Sequence, residues 1–260
     1  MTADDSIPFE STERHYAEYR PGYGEAALTY LVDRFELDDS SRSLDLGCGA
    51  GQIAVPLAEH AGEVVAMDPN ETMLRQARQR AERAGRENVD CVVGSDTDLG
   101  EELGTFRLTT MGRSFHWMNG KSTLETLYRL TESGGGVALL TGQEWLTKGT
   151  EEWQEEVYEV AGEYASLPER TGPVEEYDDP WDELLAEAGF EDVTVERFAF
   201  EREWDADGIV GYLRSLSFCS PDVLGEREAA FTSELTDRLN AMDGEPFTQT
   251  GTITVISGRK

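Results

Sequence analysis

An acid and three closely spaced glycines stand in Leu44-Asp45-Leu46-Gly47-Cys48-Gly49-Ala50-Gly51-Gln52-Ile53-Ala54. A short apolar run ends in a glycine turn, and a helical pattern opens after it. Asp68 stands about twenty residues further on, closing the next apolar run Val64-Val65-Ala66-Met67. Glycines let a backbone approach a ligand without a Cβ clash. A carboxylate at the tip of the second strand can accept hydrogen bonds from both hydroxyls of a ribose. Strand, glycine loop, helix and a second strand ending in an acid together form a site for a nucleoside ligand.

Regular elements must position these groups. The pattern predicts strands near 43–46, 64–67, 89–93, 107–111 and 137–141, with helices near 52–60, 71–84 and 122–130 between them. Pro56 falls inside the first of these helices, which either starts at the proline or kinks there. Asn70 is an N-cap for the second, whose buried stripe is Met73, Leu74, Ala77 and Ala81. Ahead of them, Ala26, Leu28, Leu31, Val32 and Phe35 form a further helical pattern. Such alternation argues for a mostly parallel sheet with helices on both faces, an α/β fold. Beyond Gly142 an acidic helix is expected near 151–166, another over 181–188 ended by Gly189, and a half-buried strand over 193–200. Helices near 207–217 and 226–242 and a last strand near 252–256 complete the chain. The expected organisation is one domain, with N-terminal helices in 1–40, a ligand-binding core in 41–142, a helical cap in 143–190 and strands and helices in 191–260.

The 260 residues include 53 acidic and 22 basic side chains, a formal charge of −31, and lysine appears only at Lys121, Lys148 and Lys260. The acid is spread along the chain, as in proteins that work in molar salt, where a Debye length of roughly 3 Å screens self-repulsion. Apolar runs and five tryptophans argue against disorder. No basic stripe is present to neutralise phosphates, so nucleic acid is not an expected partner. Cys48, Cys91 and Cys219 form no Cys-x-x-Cys pair, and His15, His60 and His116 are scattered, so neither a disulfide frame nor a metal site is read. No apolar run approaches the roughly 20 residues of a membrane helix, and the acidic N-terminus shows no signal peptide. The expectation is a soluble cytoplasmic protein of undetermined oligomeric state.

The order of Asp45, Gly47, Gly49 and Gly51 resembles motif I of the class I S-adenosylmethionine-dependent methyltransferases. The dinucleotide fingerprint would need a small residue where Gln52 stands. Three further segments match the methyltransferase pattern, and the second of them resembles a segment of small-molecule methyltransferases of the trans-aconitate type. Gly94-Ser95-Asp96-Thr97-Asp98 follows the third strand, where the resemblance places an acid on the adenine amino group. Relatives often carry it at the position of Ser95; Asp96 is assigned the role here, the other reading being that Asp96 and Asp98 cap a turn. Ser114-Phe115-His116-Trp117 follows the fourth strand, whose carboxyl end borders the ligand crevice. His116 and Trp117 are assigned to the acceptor pocket; the other reading of His116 is a packed core residue. Tyr19-Arg20-Pro21-Gly22-Tyr23 resembles the segment that precedes the fold in these relatives. Tyr19 and Arg20 either meet substrate there or anchor a surface helix. Arg107 stands where the family usually has an acid, and the segment Gly211 to Ser217 looks like relatives without an assigned role.

The resemblance implies a Rossmann-like, seven-stranded, mostly parallel sheet with an antiparallel final hairpin, and S-adenosylmethionine as cofactor. It implies cofactor contacts at Asp45, Gly47, Cys48, Gly49, Gln52, Asp68, Pro69, Met73, Asp96, Thr97 and Ser114. The expected reaction is methyl transfer to a small-molecule acceptor, with His116 as general base if the acceptor must lose a proton. The cap from Glu144 to Pro180 is expected to select that acceptor. A nicotinamide-dependent oxidoreductase and a non-catalytic cofactor-binding or assembly protein are the rival readings. Nucleic-acid methylation is weakened by the acidity and by the lack of an Asn/Asp-Pro-Pro-aromatic segment.

Overall fold

The computed structural model describes His15, residues 18–142, 145–170, 180–242, Gly244 and 246–260. Tyr16 and the stretch 171–179 of the expected cap lie outside the described residues. Seven strands form one sheet in the order β3-β2-β1-β4-β5-β7-β6. They are β1 (Arg42–Leu46), β2 (Glu63–Asp68), β3 (Val89–Val93), β4 (Phe106–Gly112), β5 (Thr131–Gly142), β6 (Glu191–Trp204) and β7 (Phe247–Arg259). The first five pair in parallel, and β7 runs antiparallel to β5. Strand order reverses between β1 and β4, so the loop after β1 lies at the switch point, where open α/β sheets bind ligands.

By its contacts the chain falls into two compact units. The sheet unit comprises Pro21–Gln143, Glu176–Phe200 and Gly251–Lys260. Its helices are α1 (Glu25–Phe35), α2 (Ala54–Leu57), α3 (Glu71–Arg83), α4 (Gly120–Leu130) and, later in the chain, α7 (Trp181–Glu187). Central strands buried on both sides, such as Val64 to Met67 and Val137 to Leu140, read as continuous apolar runs for that reason. α3 buries Met73, Leu74, Ala77 and Ala81, and Asn70 caps it by accepting from the Thr72 and Met73 N–H groups.

Several boundaries differ from expectation. α2 is a single turn, and Pro56 sits within it instead of starting it. The chain continues to His60 by tighter turns, Glu59 N–H donating to Pro56 O and His60 N–H to Leu57 O. α1 buries Ala27, Leu31 and Phe35, leaving Ala26 exposed. β5 begins directly after α4 at Thr131, and β7 begins at Phe247, well before the predicted starts. Arg107 has a structural account: its guanidinium donates to the Phe35 and Ser133 carbonyls and pairs with Glu36, tying α1 to the start of β5. Among the described residues no helix is long and apolar enough to cross a membrane.

The helical unit comprises Met1–Arg20, Glu144–Glu175 and Glu201–Thr250, a wider set than the expected cap. Its helices are α5 (Trp145–Lys148), α6 (Glu152–Tyr164), α8 (Ala206–Arg214), α9 (Pro221–Leu224) and α10 (Glu228–Asn240). Trp145 is the hub of the core, with ring centroids 4.9 Å from Trp153, 5.9 Å from Trp204 and 4.9 Å from Tyr212. Gly211 explains the late segment whose role was open. A Cβ there would fall 2.4 Å from the Tyr19 ring, so only glycine lets that ring lie on α8. Gly211→Ala should lower stability by about 1–3 kcal/mol through overpacking, read as a lower urea midpoint. An unchanged midpoint would contradict the Tyr19 contact.

Candidate functional site

The loop after β1 turns back across the end of β2, and its main-chain amides dictate how. Gly47 and Cys48 N–H both donate to Met67 O, at 2.8 and 3.0 Å. Gly47, Gly49 and Gly51 have φ of 71°, 53° and 78°, left-handed values that side chains disfavour. Gly47 has a second reason: a Cβ there would meet the Ser114 Cβ at 2.4 Å.

Two carboxylates complete the loop. Asp45 Oδ2 accepts from Ala54 N–H at 3.0 Å, and its Oδ1 accepts from the Thr110 hydroxyl at 2.9 Å. Asp68 Oδ2 accepts from Gly49 N–H, and its Oδ1 from Asn70 N–H, both at 2.9 Å. Each Asp68 oxygen keeps a second lone pair, which suits two ribose hydroxyls. Burial pushes the Asp68 carboxyl above its ordinary range, against the pull of the Asn70 and Gly49 N–H groups. Asp45 is enclosed, and burial raises it from 3.8 to about 7 against the Thr110 and Ala54 hydrogen bonds. Asp45 therefore holds the loop and the start of α2 from inside and does not face a ligand.

The remaining expected cofactor positions divide by exposure. Cys48, Gln52 and Met73 are buried, while Pro69 and Thr97 are exposed. The Cys48 side chain joins the apolar core, and burial pushes its thiol well above the ordinary value, so it can serve a ligand only through its backbone. Ser114 Oγ donates to Leu46 O at 2.7 Å, anchoring the end of β4 to the end of β1. Asp98 is the turn cap, accepting from Ser95 N–H and Ser95 Oγ. Asp96 is not: its Oδ2 accepts from the Thr123 hydroxyl at 3.0 Å and from Asn119 N–H at 3.4 Å.

Phe115 to Trp117 form one 3-10 turn. Phe115 is buried with its ring edge-on to Trp181 at 5.4 Å, which leaves the next two side chains outside. His116 is exposed, so the core reading of this histidine does not hold, and Trp117 is 68% exposed with its ring 4.8 Å from the imidazole. Met118 returns beneath them, its Cε 3.5 Å from where a Gly47 Cβ would stand. The sheet unit thus brings the glycine loop, Asp68 and the His116–Trp117 turn into one connected framework. Tyr19 and Arg20 belong to the helical unit, where the Arg20 guanidinium lies over the Tyr212 ring at 5.1 Å. Among the described residues no group of three or more His, Cys, Asp or Glu side chains could hold a metal ion.

Thr110, Met118, Asn119 and Thr123 were not anticipated. Asn119 had a signal, since its side chain caps α4 by accepting from Ser122 N–H. A buried threonine inside an amphipathic helix gives no such signal.

Residues 44–135 match the model of a family described as a methyltransferase domain. Over 216 residues the chain is 27% identical to an uncharacterized methyltransferase-like protein of Schizosaccharomyces pombe, across 82% of this chain and 79% of that protein. Its fold is similar to the solved structure of a candidate type II methyltransferase from Anaeromyxobacter dehalogenans, with a TM-score of 0.62 and 22% identity over 93% of this chain and 98% of that one. It is similar too, at a TM-score of 0.56 and 17% identity, to Haemonchus contortus phosphoethanolamine N-methyltransferase 2 in complex with phosphomonomethylethanolamine and S-adenosylhomocysteine. That match covers 98% of this chain and 58% of the other.

The raised Asp45 sets a pH signature for the loop. With the folded value above the ordinary one, the native state binds the proton more tightly than the unfolded chain between about pH 4 and 7. The resulting stability is present at the acidic end of that window and is lost as pH rises through about 7. Asp45→Asn keeps the shape without titrating, its amide donating to Thr110 Oγ1. Urea unfolding should show the variant gaining on the wild type as pH rises across that window; a pH-independent difference would contradict the assignment.

Proposed function

We propose that this class I S-adenosylmethionine-dependent methyltransferase acts on a small-molecule acceptor held against the His116–Trp117 turn. The fold, the matched domain and the relatives establish the enzyme class and the cofactor. The acceptor side is our reading, and one observation carries it: an exposed imidazole and indole, fixed on a turn that Ser114 bonds to the end of β1 beside the glycine loop. The formal charge of −31 supports it further by disfavouring a polyphosphate acceptor. The same charge favours a working solvent of high salt, where self-repulsion is screened.

The acceptors and donors of the site fit the cofactor. In this reading Asp68 takes the ribose hydroxyls, and the backbone of Gly47, Cys48 and Gly49, with Gln52, lies along the nucleoside's tail. Asp96 faces the adenine amino group, while Pro69, Met73 and Thr97 border the nucleoside. Bound S-adenosylmethionine supplies a methyl group already activated on a sulfonium. The protein's own share is to align the acceptor and exclude water, which the Trp117 ring does by covering it. His116 removes a proton where the acceptor carries one. The trans-aconitate type is the proposed subfamily, on the strength of Phe115-His116-Trp117 and Tyr19-Arg20-Pro21.

Thermal unfolding in molar KCl separates the cofactors. S-adenosylhomocysteine at about 100 times its dissociation constant should add roughly 2.7 kcal/mol, and Asp68→Ala should abolish that gain. A gain with NAD alone would sink the cofactor assignment. For the acceptor, label from methyl-labelled cofactor should enter the dialysable fraction of a cell extract. In His116→Gln that transfer should fall by about 10²–10⁴-fold if the imidazole is the base, with S-adenosylhomocysteine binding unchanged. Label confined to nucleic acid or protein would contradict the small-molecule reading.

A further inference from the structure

Asp96 stands in the 3-10 turn that follows β3, next to the end of β2. Gly94 N–H donates to Asp68 O, so this turn and the proposed ribose carboxylate are joined through one main-chain bond. A carboxylate on a half-exposed turn has rotamer freedom, and ordering it on ligand binding opposes affinity. Here that freedom is already removed. Thr123 Oγ1 and Asn119 N–H, both from the start of α4, donate to the same oxygen, Oδ2. Thr123 is buried, and its own N–H donates to Asn119 O at 2.9 Å, so its hydroxyl reaches Asp96 from an ordered first turn of α4. Both protein bonds converge on Oδ2, which leaves Oδ1 as the oxygen that can accept from a ligand.

We infer that Thr123 is a positioning residue: it orients Asp96 so that Oδ1 accepts from the exocyclic amine of the cofactor's adenine and rejects an oxo group there. This rests on the assignment of Asp96 to adenine. Thr123 touches no ligand; it acts through the carboxylate. An oxo group in place of the amine would set two acceptors against each other, leaving both unpaired. Asn119 stands two residues beyond Trp117, the last residue of the turn that carries His116, so its bond to Asp96 ties the proposed adenine carboxylate to the acceptor turn.

The test compares dissociation constants of S-adenosylhomocysteine and its deaminated analogue S-inosylhomocysteine, by calorimetry in molar KCl. A merely structural defect weakens both ligands together and leaves their ratio unmoved. The wild type should prefer the adenine ligand by about 10–100-fold, the worth of one hydrogen bond to a charged acceptor. Thr123→Val, which keeps the shape and removes the hydroxyl, should cut that ratio by about 3–10-fold, and Thr123→Ser should restore it. Asp96→Ala should bring the ratio close to one. A ratio unchanged in Thr123→Val but collapsed in Asp96→Ala overturns the positioning role and leaves the Asp96 assignment standing. A ratio unchanged in Asp96→Ala overturns the assignment itself, and the inference with it.

Discussion

Everything at the switch point of the sheet depends on pairing the main-chain amides of one tight, largely buried loop. Between Gly47 and Ala54 the chain must reverse without a strand partner, and buried N–H groups left unpaired cost about 1–3 kcal/mol each. Met67 O takes two of these N–H groups, Asp68 a third and Asp45 a fourth. The two acids, though similar in sequence context, divide the work by depth. Asp45 is sealed in by Thr110 and Ala54, whereas Asp68 bonds to the loop on one oxygen and to the α3 cap on the other. In the proposed site, the charge beside the ribose comes from a residue that also holds the loop, which couples binding geometry to loop stability.

The same economy of anchors extends across β4. Ser114 binds β1 by its hydroxyl, touches Gly47, and starts the turn whose buried Phe115 turns His116 and Trp117 outward. That turn leads into the N-terminus of α4, which in turn grips Asp96. The proposed cofactor and acceptor sides are therefore tied to one another by hydrogen bonds between neighbouring segments, an arrangement suited to an in-line displacement whose main demand is alignment. Val93, 58% exposed, sits at the end of β3, beside Asp68 in register.

Much of this was legible in the sequence because the responsible signals are local. The strand–glycine–helix order, the Asn70 cap and the α3 stripe each depend on residues within one or two turns of each other; the cap and the stripe stand where expected, and the helix after the glycines is present but shortened to one turn. The Asp68 position follows from strand length. Less was legible where partners are distant in sequence. Arg107 looked anomalous until Phe35, Glu36 and Ser133 appeared around it, and Gly211 had no role until Tyr19 was seen against α8. Asp45 matched a ligand motif by type and spacing, yet its Thr110 partner on a neighbouring strand encloses it. The Asp96–Thr123 pair spans two elements and has no local signature.

In the proposed site Asp68 presents its two remaining lone pairs to a ribose while its bonds to the Gly49 and Asn70 amides hold the loop. A crystal structure with S-adenosylhomocysteine, grown from molar KCl, tests it most directly. Both ribose hydroxyls should lie on the Asp68 carboxylate, with the Gly49 and Asn70 N–H bonds retained. A nucleoside seated elsewhere, or an Asp68 side chain turned away from it with those bonds broken, would contradict the account.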